Sequence, residues 1–453
     1  MNGRFSILIF NIKISKLFPY NIAVHLNSSV KFKRATDAML GLPSHLSAVI
    51  LSDWLSLRDL SVYIVASCSK SSRKEWLDCL PYMVLTQSIH GTICGFRVSE
   101  WICQQCIAVE AINFWLSLVD NLICNNYLIK CGRSLKCLVM NHCISLHSVA
   151  LHCPNLIELT NVNAQGQICS APTVHTIESL CPRLTHIELV GQPVPCSSIG
   201  LPARNFHSLI HVRLELCGMV IKVLTAIVKT NPALNSIEIV GGGAFPIKAL
   251  VKVLKKCAPT LRCLQLQKLS APIDDAALVE LGTVCAYLQK LGLWGFKRMY
   301  NGEGVDSGLG RLLKCCTNLR SFSSYMDDSL LRQMAAHLPK LEEINASHNG
   351  MVTHIGICAL VSGCHSITSA DLRTTTNIGD TGLIALLRNC PLEELRIEGM
   401  GGITSASAHA LRARVDRGHL RRYLSADFSF LIEEEDLVSV LRKRGCRVLL
   451  KNY

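Results

Sequence analysis

At 453 residues the chain is longer than one compact domain usually is, unless it is a repeat array. Hydrophobic residues make up 49% and aromatics only 6%, which excludes broad disorder and points to a core of Leu, Ile, Val, Ala and Cys. The formal net charge is +13, and no run approaches the roughly 18–20 apolar residues that span a bilayer as a helix.

Residues 1–40 carry six Lys or Arg against one acid, Asp37, and are expected to form a basic, disordered leader. Residues 41–81 are expected to be a small helical segment. They open with Leu42-Pro43, continue to Ile50-Leu51 and Leu55 at the end of a short helix, and then reach Asp59-Leu60. A second helix with a late tryptophan, Trp76, closes the segment. This pattern resembles an F-box. The resemblance implies that these apolar residues dock on the Skp-type adaptor of a cullin–RING ubiquitin ligase. Residues 82–130 are read as a linker or as divergent first repeats. Within them Cys103-Gln-Gln-Cys106 has zinc or redox spacing, but no second pair stands at a suitable distance, and no metal site is expected.

From residue 131 to the end a unit of the form Leu-x-x-Leu-x-Leu recurs. It stands at Leu184/Ile187/Leu189, Leu234/Ile237/Ile239, Leu261/Leu264/Leu266, Leu288/Leu291/Leu293 and Leu392/Leu395/Ile397. A degenerate last copy is read at Leu420/Tyr423. The step is roughly 26 residues. Alternating apolar residues make a short strand with one buried face. The second half of each unit is helical: Asp380 precedes Leu383, Leu386 and Leu387 at helical spacing, and Asp274-Asp275 supply an acidic helix start. Helices end at Cys-Pro or a variant, as at Cys153-Pro154, Cys181-Pro182 and Cys390-Pro391, where proline stops them. Cys143, Cys217 and Asn349 fall at the ninth position, where a small polar side chain caps the turn.

This resembles the cysteine-containing leucine-rich repeats of F-box proteins. The fold expected is an α/β solenoid, a curved parallel sheet with outer helices, preceded by the F-box-like segment. Most of the 23 cysteines are thereby read as small buried apolar side chains of a reduced protein in the cytoplasm or nucleus.

Residues between the buried leucines alternate to the other face of the sheet. Among them Glu188, Arg213, Glu238, Lys290, Trp294, Tyr325, Asp371, Arg373 and Arg396 are taken as candidate target-binding residues. Acids outnumber bases on this face, which favours a protein partner there; no nucleic acid, membrane or cofactor is expected. Gly302-Glu-Gly304 with Gly308 and Gly310 lacks the spacing of a phosphate loop, and no nucleophile–base motif is present. The function expected is therefore non-catalytic: target recognition for a ubiquitin ligase, leading to proteasomal degradation. A repeat scaffold without ligase association and a secreted or organellar repeat protein are the alternatives.

Overall fold

The computed structural model describes residues 84–85 and 103–451, apart from 105, 107 and the stretches 115–120, 141–145, 164–180, 192–207, 216–219, 242–245, 270–273, 295–306 and 428–434. The chain divides into two units, Met1–Asn113 with Ser117–Leu135, and Phe114–Leu116 with Lys136–Tyr453.

In the first unit β1 (Val84–Leu85) pairs in parallel with β2 (Ala108–Val109), and β3 (Ala111–Asn113) follows. Helix α1 (Asn121–Cys131) buries Cys124, Tyr127 and Leu128, and the Cys131 thiol donates to the Cys106 carbonyl at 3.1 Å. Ser134 Oγ donates to the carbonyls of Val109 and Cys131.

The second unit is a parallel sheet whose strands lie side by side in chain order. They are β4 (Cys137–Met140), β5 (Glu158–Asn163), β6 (His186–Gly191), β7 (His211–Glu215), β8 (Ser236–Val240), β9 (Cys263–Gln267) and β10 (Lys290–Trp294). The series continues with β11 (Ser321–Ser324), β12 (Glu343–Asn345), β13 (Ser369–Asp371), β14 (Glu394–Arg396), β15 (Tyr423–Asp427) and β16 (Arg447–Lys451). Between them run short helices, among them α2 (Leu146–His152), α3 (Val220–Thr230), α4 (Ile247–Leu254), α5 (Asp275–Val284) and α6 (Gly308–Cys315). After these come α7 (Asp328–His337), α8 (His354–Val361), α9 (Gly379–Asn389), α10 (Ser405–Asp416) and α11 (Glu435–Lys443).

The ladder read from the sequence is the core. Leu261, Leu264 and Leu266 are fully buried, as are Leu234, Ile237 and Ile239 before them. Helix starts are capped as their sequence suggests: Asp274 accepts from the Ala277 N–H at 2.6 Å and Asp327 from the Leu330 N–H at 2.8 Å. Each such cap contributes about 1 kcal/mol. Asp380 behaves differently. It reaches into the next repeat, accepting from the Thr404 N–H at 2.9 Å and the Thr404 hydroxyl at 2.6 Å. Gly308 lies against Asp275 of the preceding repeat so closely that a Cβ would come within 2.4 Å of the Asp275 Cα.

Two kinds of polar side chain tie the repeats together in the core. Asn349 is 3% exposed; its amide donates to the Ser324 carbonyl at 3.1 Å and its oxygen accepts from the Met326 N–H at 2.9 Å. That is the capping role its ninth position predicted; Cys143 and Cys217 lie outside the described residues. The cysteines at the helix ends, followed by proline or not, form the second set. Cys181 donates to the Cys153 carbonyl at 3.3 Å, Cys316 to that of Cys285 at 3.5 Å, and Cys390 to that of Cys364 at 3.6 Å. The cysteines described are free thiols.

One element departs from the sequence reading. Tyr423 is not in the ladder: Leu424 pairs with Leu395 and takes that place. From Leu420 to Leu424 the ladder spacing is one residue longer than from Leu392 to Leu395, and the turn before β15 accommodates it where Gly418 and Leu420 adopt left-handed φ of 87° and 57°. A further strand, β16, follows, with Val448 paired to Leu424, so the array extends one repeat beyond the degenerate copy at residue 420.

Burial, joined by the fields of neighbouring thiols, pushes Cys153, Cys285, Cys316 and Cys364 up to about 12. Cys181, Cys257 and Cys390 rise to about 11, again chiefly by burial. A thiol whose folded pKa is raised stabilises fully below the unfolded value of 9.0 and loses that contribution as pH climbs toward the folded one. The urea midpoint is therefore expected to hold from pH 7 to the unfolded thiol value and to fall steeply above it. Buried thiols alkylating readily in the native protein at neutral pH would contradict this.

Candidate protein-interaction face

Residues alternating with the ladder form the open face of the sheet, and in-register pairing sorts them into rows. One row runs Cys137, Glu158, His186, His211, Ser236, Cys263, Lys290. The next runs Glu188, Arg213, Glu238, Gln265, Gly292, Ser323, Asn345, Asp371, Arg396, Ser425. Rows of this kind place side chains about 4.8 Å apart across the strands.

Over β5–β8 the face is acidic. Arg213 is held by three carboxylates, Glu188 at 2.8 Å, Glu215 at 2.7 Å and Glu238 at 2.8 Å. Burial works against its charge, but the hydrogen bond to Glu215 and the fields of Glu238 and Glu188 outweigh it, so its proton is held more tightly than usual. Beside it the rings of His186 and His211 stack with centroids 5.5 Å apart. Burial and then the His186 ring lower the His211 pKa, against the opposing field of Glu188. The Cys137 thiol donates to Glu158 at 3.4 Å.

In the centre the face is neutral. Trp294 and Tyr325 meet edge to face, with ring centroids 5.4 Å apart and both half-buried. Their neighbour Gly292 leaves room for the Gln265 amide to cross the face; a Cβ there would sit 1.8 Å from Gln265 Oε1. Lys290 is exposed and stands 3.8 Å from Glu343, a distance that contributes little in water.

Toward the C-terminal end Asp371, only 5% exposed, lies beneath two arginines. Arg373 grips it through Nε at 2.9 Å and Nη2 at 2.7 Å, and Arg396 Nη1 stands at 3.6 Å. The Arg396 guanidinium also lies over the Tyr423 ring, 5.1 Å from its centroid. Asp371 thus fixes the arginines, which present their remaining N–H groups at the surface.

The nine face residues singled out in the sequence consequently fall in three groups: Glu188, Arg213 and Glu238; Lys290, Trp294 and Tyr325; and Asp371, Arg373 and Arg396. Sequence reasoning missed Tyr423, because of the extra residue between Leu420 and Leu424, and the His186–His211 stack, which only the register reveals. The adaptor-binding candidates Leu42, Pro43, Ile50, Leu51, Leu55, Asp59, Leu60 and Trp76 lie outside the described residues. Among the described residues no three His, Cys, Asp or Glu side chains gather as a metal site would require, and no helix is long and apolar enough to cross a membrane.

No protein-family profile matches the chain, and no curated protein matches it in sequence. Solved structures do match in fold. Rad7, in the crystal structure of the yeast Rad7–Elc1 complex, has a TM-score of 0.51 at 15% identity, covering 89% of this chain and 94% of that one. This chain folds as a leucine-rich-repeat protein. An internalin of Listeria monocytogenes (TM-score 0.39, 10% identity, 78% of this chain and 83% of that one) is also similar. So is the leucine-rich-repeat protein LegL7 of Legionella pneumophila (TM-score 0.36, 14% identity, 57% and 89%).

Asp371 and Lys290 should separate scaffold from surface. Asp371→Ala leaves two half-buried guanidiniums without their anchor and is expected to cost roughly 2 kcal/mol in urea unfolding. Lys290→Ala should stay within about 0.5 kcal/mol. Equal effects would contradict the assignment of Asp371 as a support.

Proposed function

We propose that the protein is the substrate-recognition subunit of a cullin–RING ubiquitin ligase of the SCF type. Residues 42–76 would hold the Skp-type adaptor. The open sheet face would hold a target protein, bringing it to the ligase for ubiquitin transfer and proteasomal degradation. The observation that carries this reading is the coincidence, in one chain, of the F-box-like run from Leu42-Pro43 to Trp76 with cysteine-type repeats beginning downstream of it. The leucine-rich-repeat fold supports a protein-binding role. So does the crystallisation of a protein of similar fold, Rad7, in complex with a second protein, Elc1.

The role of such a subunit is to raise the local concentration of the target near the transfer machinery. It requires no nucleophile or cofactor of its own, so the protein is read as non-enzymatic and as acting in the cytoplasm or nucleus. The face fits a protein partner in its chemistry. It offers a half-buried aromatic pair, Trp294 and Tyr325, flanked by Glu188, Arg213 and Glu238 on one side and by Arg373 and Arg396 on the other. Aromatic and arginine side chains at the middle of a face are the residue types that dominate protein interfaces.

The test is the simultaneous change of Leu42, Ile50 and Leu55 to Ala in the full chain, with adaptor binding measured by calorimetry. Adaptor binding is expected to be lost while the circular dichroism melting curve is retained. Retained adaptor binding would overturn the assignment.

A further inference from the structure

The basic excess of the chain has a definite place in the fold. The strands are parallel and paired in register, so the residues just before each strand stack along one edge of the sheet. A backbone run shows it: Gln289 N–H donates to the Arg262 carbonyl at 2.7 Å, Arg320 to Gln289 at 2.7 Å, and Arg447 to Arg422 at 3.0 Å. The helices end on this same edge. From residue 220 onward, the segments from the last three residues of each described helix to the residue before the next strand hold sixteen Lys or Arg. They hold three acids, Glu342, Glu393 and Asp416. The open face, by contrast, is acidic over β5–β8.

A cation at a helix C-terminus offsets the helix dipole, and one per helix suffices for that. The edge carries far more in places. The last turn of α4 and the linker after it have Lys252, Lys255, Lys256 and Arg262, and the end of α10 with its linker has Arg414, Arg417, Arg421 and Arg422. Next to it α11 ends in Arg442 and Lys443, with Arg444 just after it, all exposed. Neighbouring acids absorb only a few: Glu280 takes Lys255 at 3.1 Å, Glu342 takes Arg320, and Glu393 takes Arg422 at 2.8 Å. The convergence is felt at His419, whose pKa is lowered first by burial and then by Arg414, Arg421 and Arg417.

The chemistry along the edge favours one class of polyanion. Among the described residues of the second unit, large exposed aliphatic side chains on this edge are few, Leu151 at 52% and Ile210 at 45% exposure, so apolar anchors of the kind a membrane or a protein interface uses are scarce. The exposed aromatic on the edge is Tyr287, 57% exposed, with the Arg262 guanidinium 5.5 Å from its ring centroid. Serial cations with an exposed aromatic plane suit a phosphodiester backbone whose bases can stack. We propose that this edge binds nucleic acid through its backbone, without sequence preference, as a second surface separate from the sheet face. It departs from the sequence-level expectation of no nucleic-acid partner, which rested on the charge of the other face. It stands apart from the ligase reading, since neither residues 42–76 nor the sheet face take part.

The test is fluorescence anisotropy of the full chain with a labelled thymidylate strand of about 20 nucleotides. A DNA duplex of the same length, an oligoglutamate peptide and phosphatidylserine vesicles serve as the other probes. The strand is expected to bind at about 50 mM salt, with log K falling linearly in log salt. The combined variant K256Q/R417Q/R442Q/K443Q should weaken binding at least tenfold and flatten the slope by about 0.7 per lost contact, with an unchanged melting curve. Y287A should weaken the single strand more than the duplex. No binding at low salt, an unaffected quadruple variant, or tighter binding of oligoglutamate or vesicles would overturn the proposal.

Discussion

Strand register is the constraint on which the repeat array rests. Side chains on a strand alternate with a period of two, so a slip of one residue would turn the whole Leu-x-x-Leu-x-Leu ladder toward water. The pairing Ile237–Leu264–Leu291–Phe322–Ile344–Ala370–Leu395–Leu424 keeps the apolar residues of successive repeats on one side. No single repeat can bury that face by itself, and stacking makes one continuous core. The register also determines which polar side chains become neighbours on the other side. Arg213 meets Glu188 and Glu238, and Arg396 meets Asp371, because they occupy the same row of adjacent strands.

The polar groups in the core reinforce the register at little cost. Cysteine is small and apolar enough for the helix–strand turn, yet its thiol still finds a carbonyl in the preceding repeat, as Cys181 does with Cys153. Asn349 does the same for the turn after β11, and Asp380 for the start of α10. These bonds are specific to one spacing between repeats, whereas hydrophobic burial alone would tolerate several. The extra residue before β15 shows the same principle from the other side. Left-handed conformations at Gly418 and Leu420 take up the insertion, and Leu424 is restored to the ladder.

Much of this was legible in the sequence because the period is strong. The ladder leucines, the Asp274 cap, the role of Asn349 and the burial of the Cys-Pro cysteines follow from spacing and residue chemistry alone. Membership of the open face was legible for the same reason. Its internal arrangement was not: alternation says that Asp371 faces that side, but only packing shows that Arg373 covers it and leaves it 5% exposed. Tyr423 escaped because a fixed repeat template cannot register a one-residue insertion absorbed in a turn. The segregation of charge escaped because net charge is a sum over the chain. The helix C-terminal edge is basic while the sheet face over β5–β8 is acidic, and only the parallel stacking of helices gathers the former into a stripe.

The central claim is that one chain joins a ligase-docking segment to a recognition face on a repeat scaffold. The most direct measurement is affinity purification of the tagged full chain from its own cells, with quantitative mass spectrometry of what accompanies it. The account predicts a Skp-type adaptor and a cullin in stoichiometric amount, together with further partners that are lost when Trp294 and Tyr325 are changed to Ala. A folded, intact chain that retains those partners but brings down no adaptor would contradict it, and would leave the protein a repeat scaffold without a ligase.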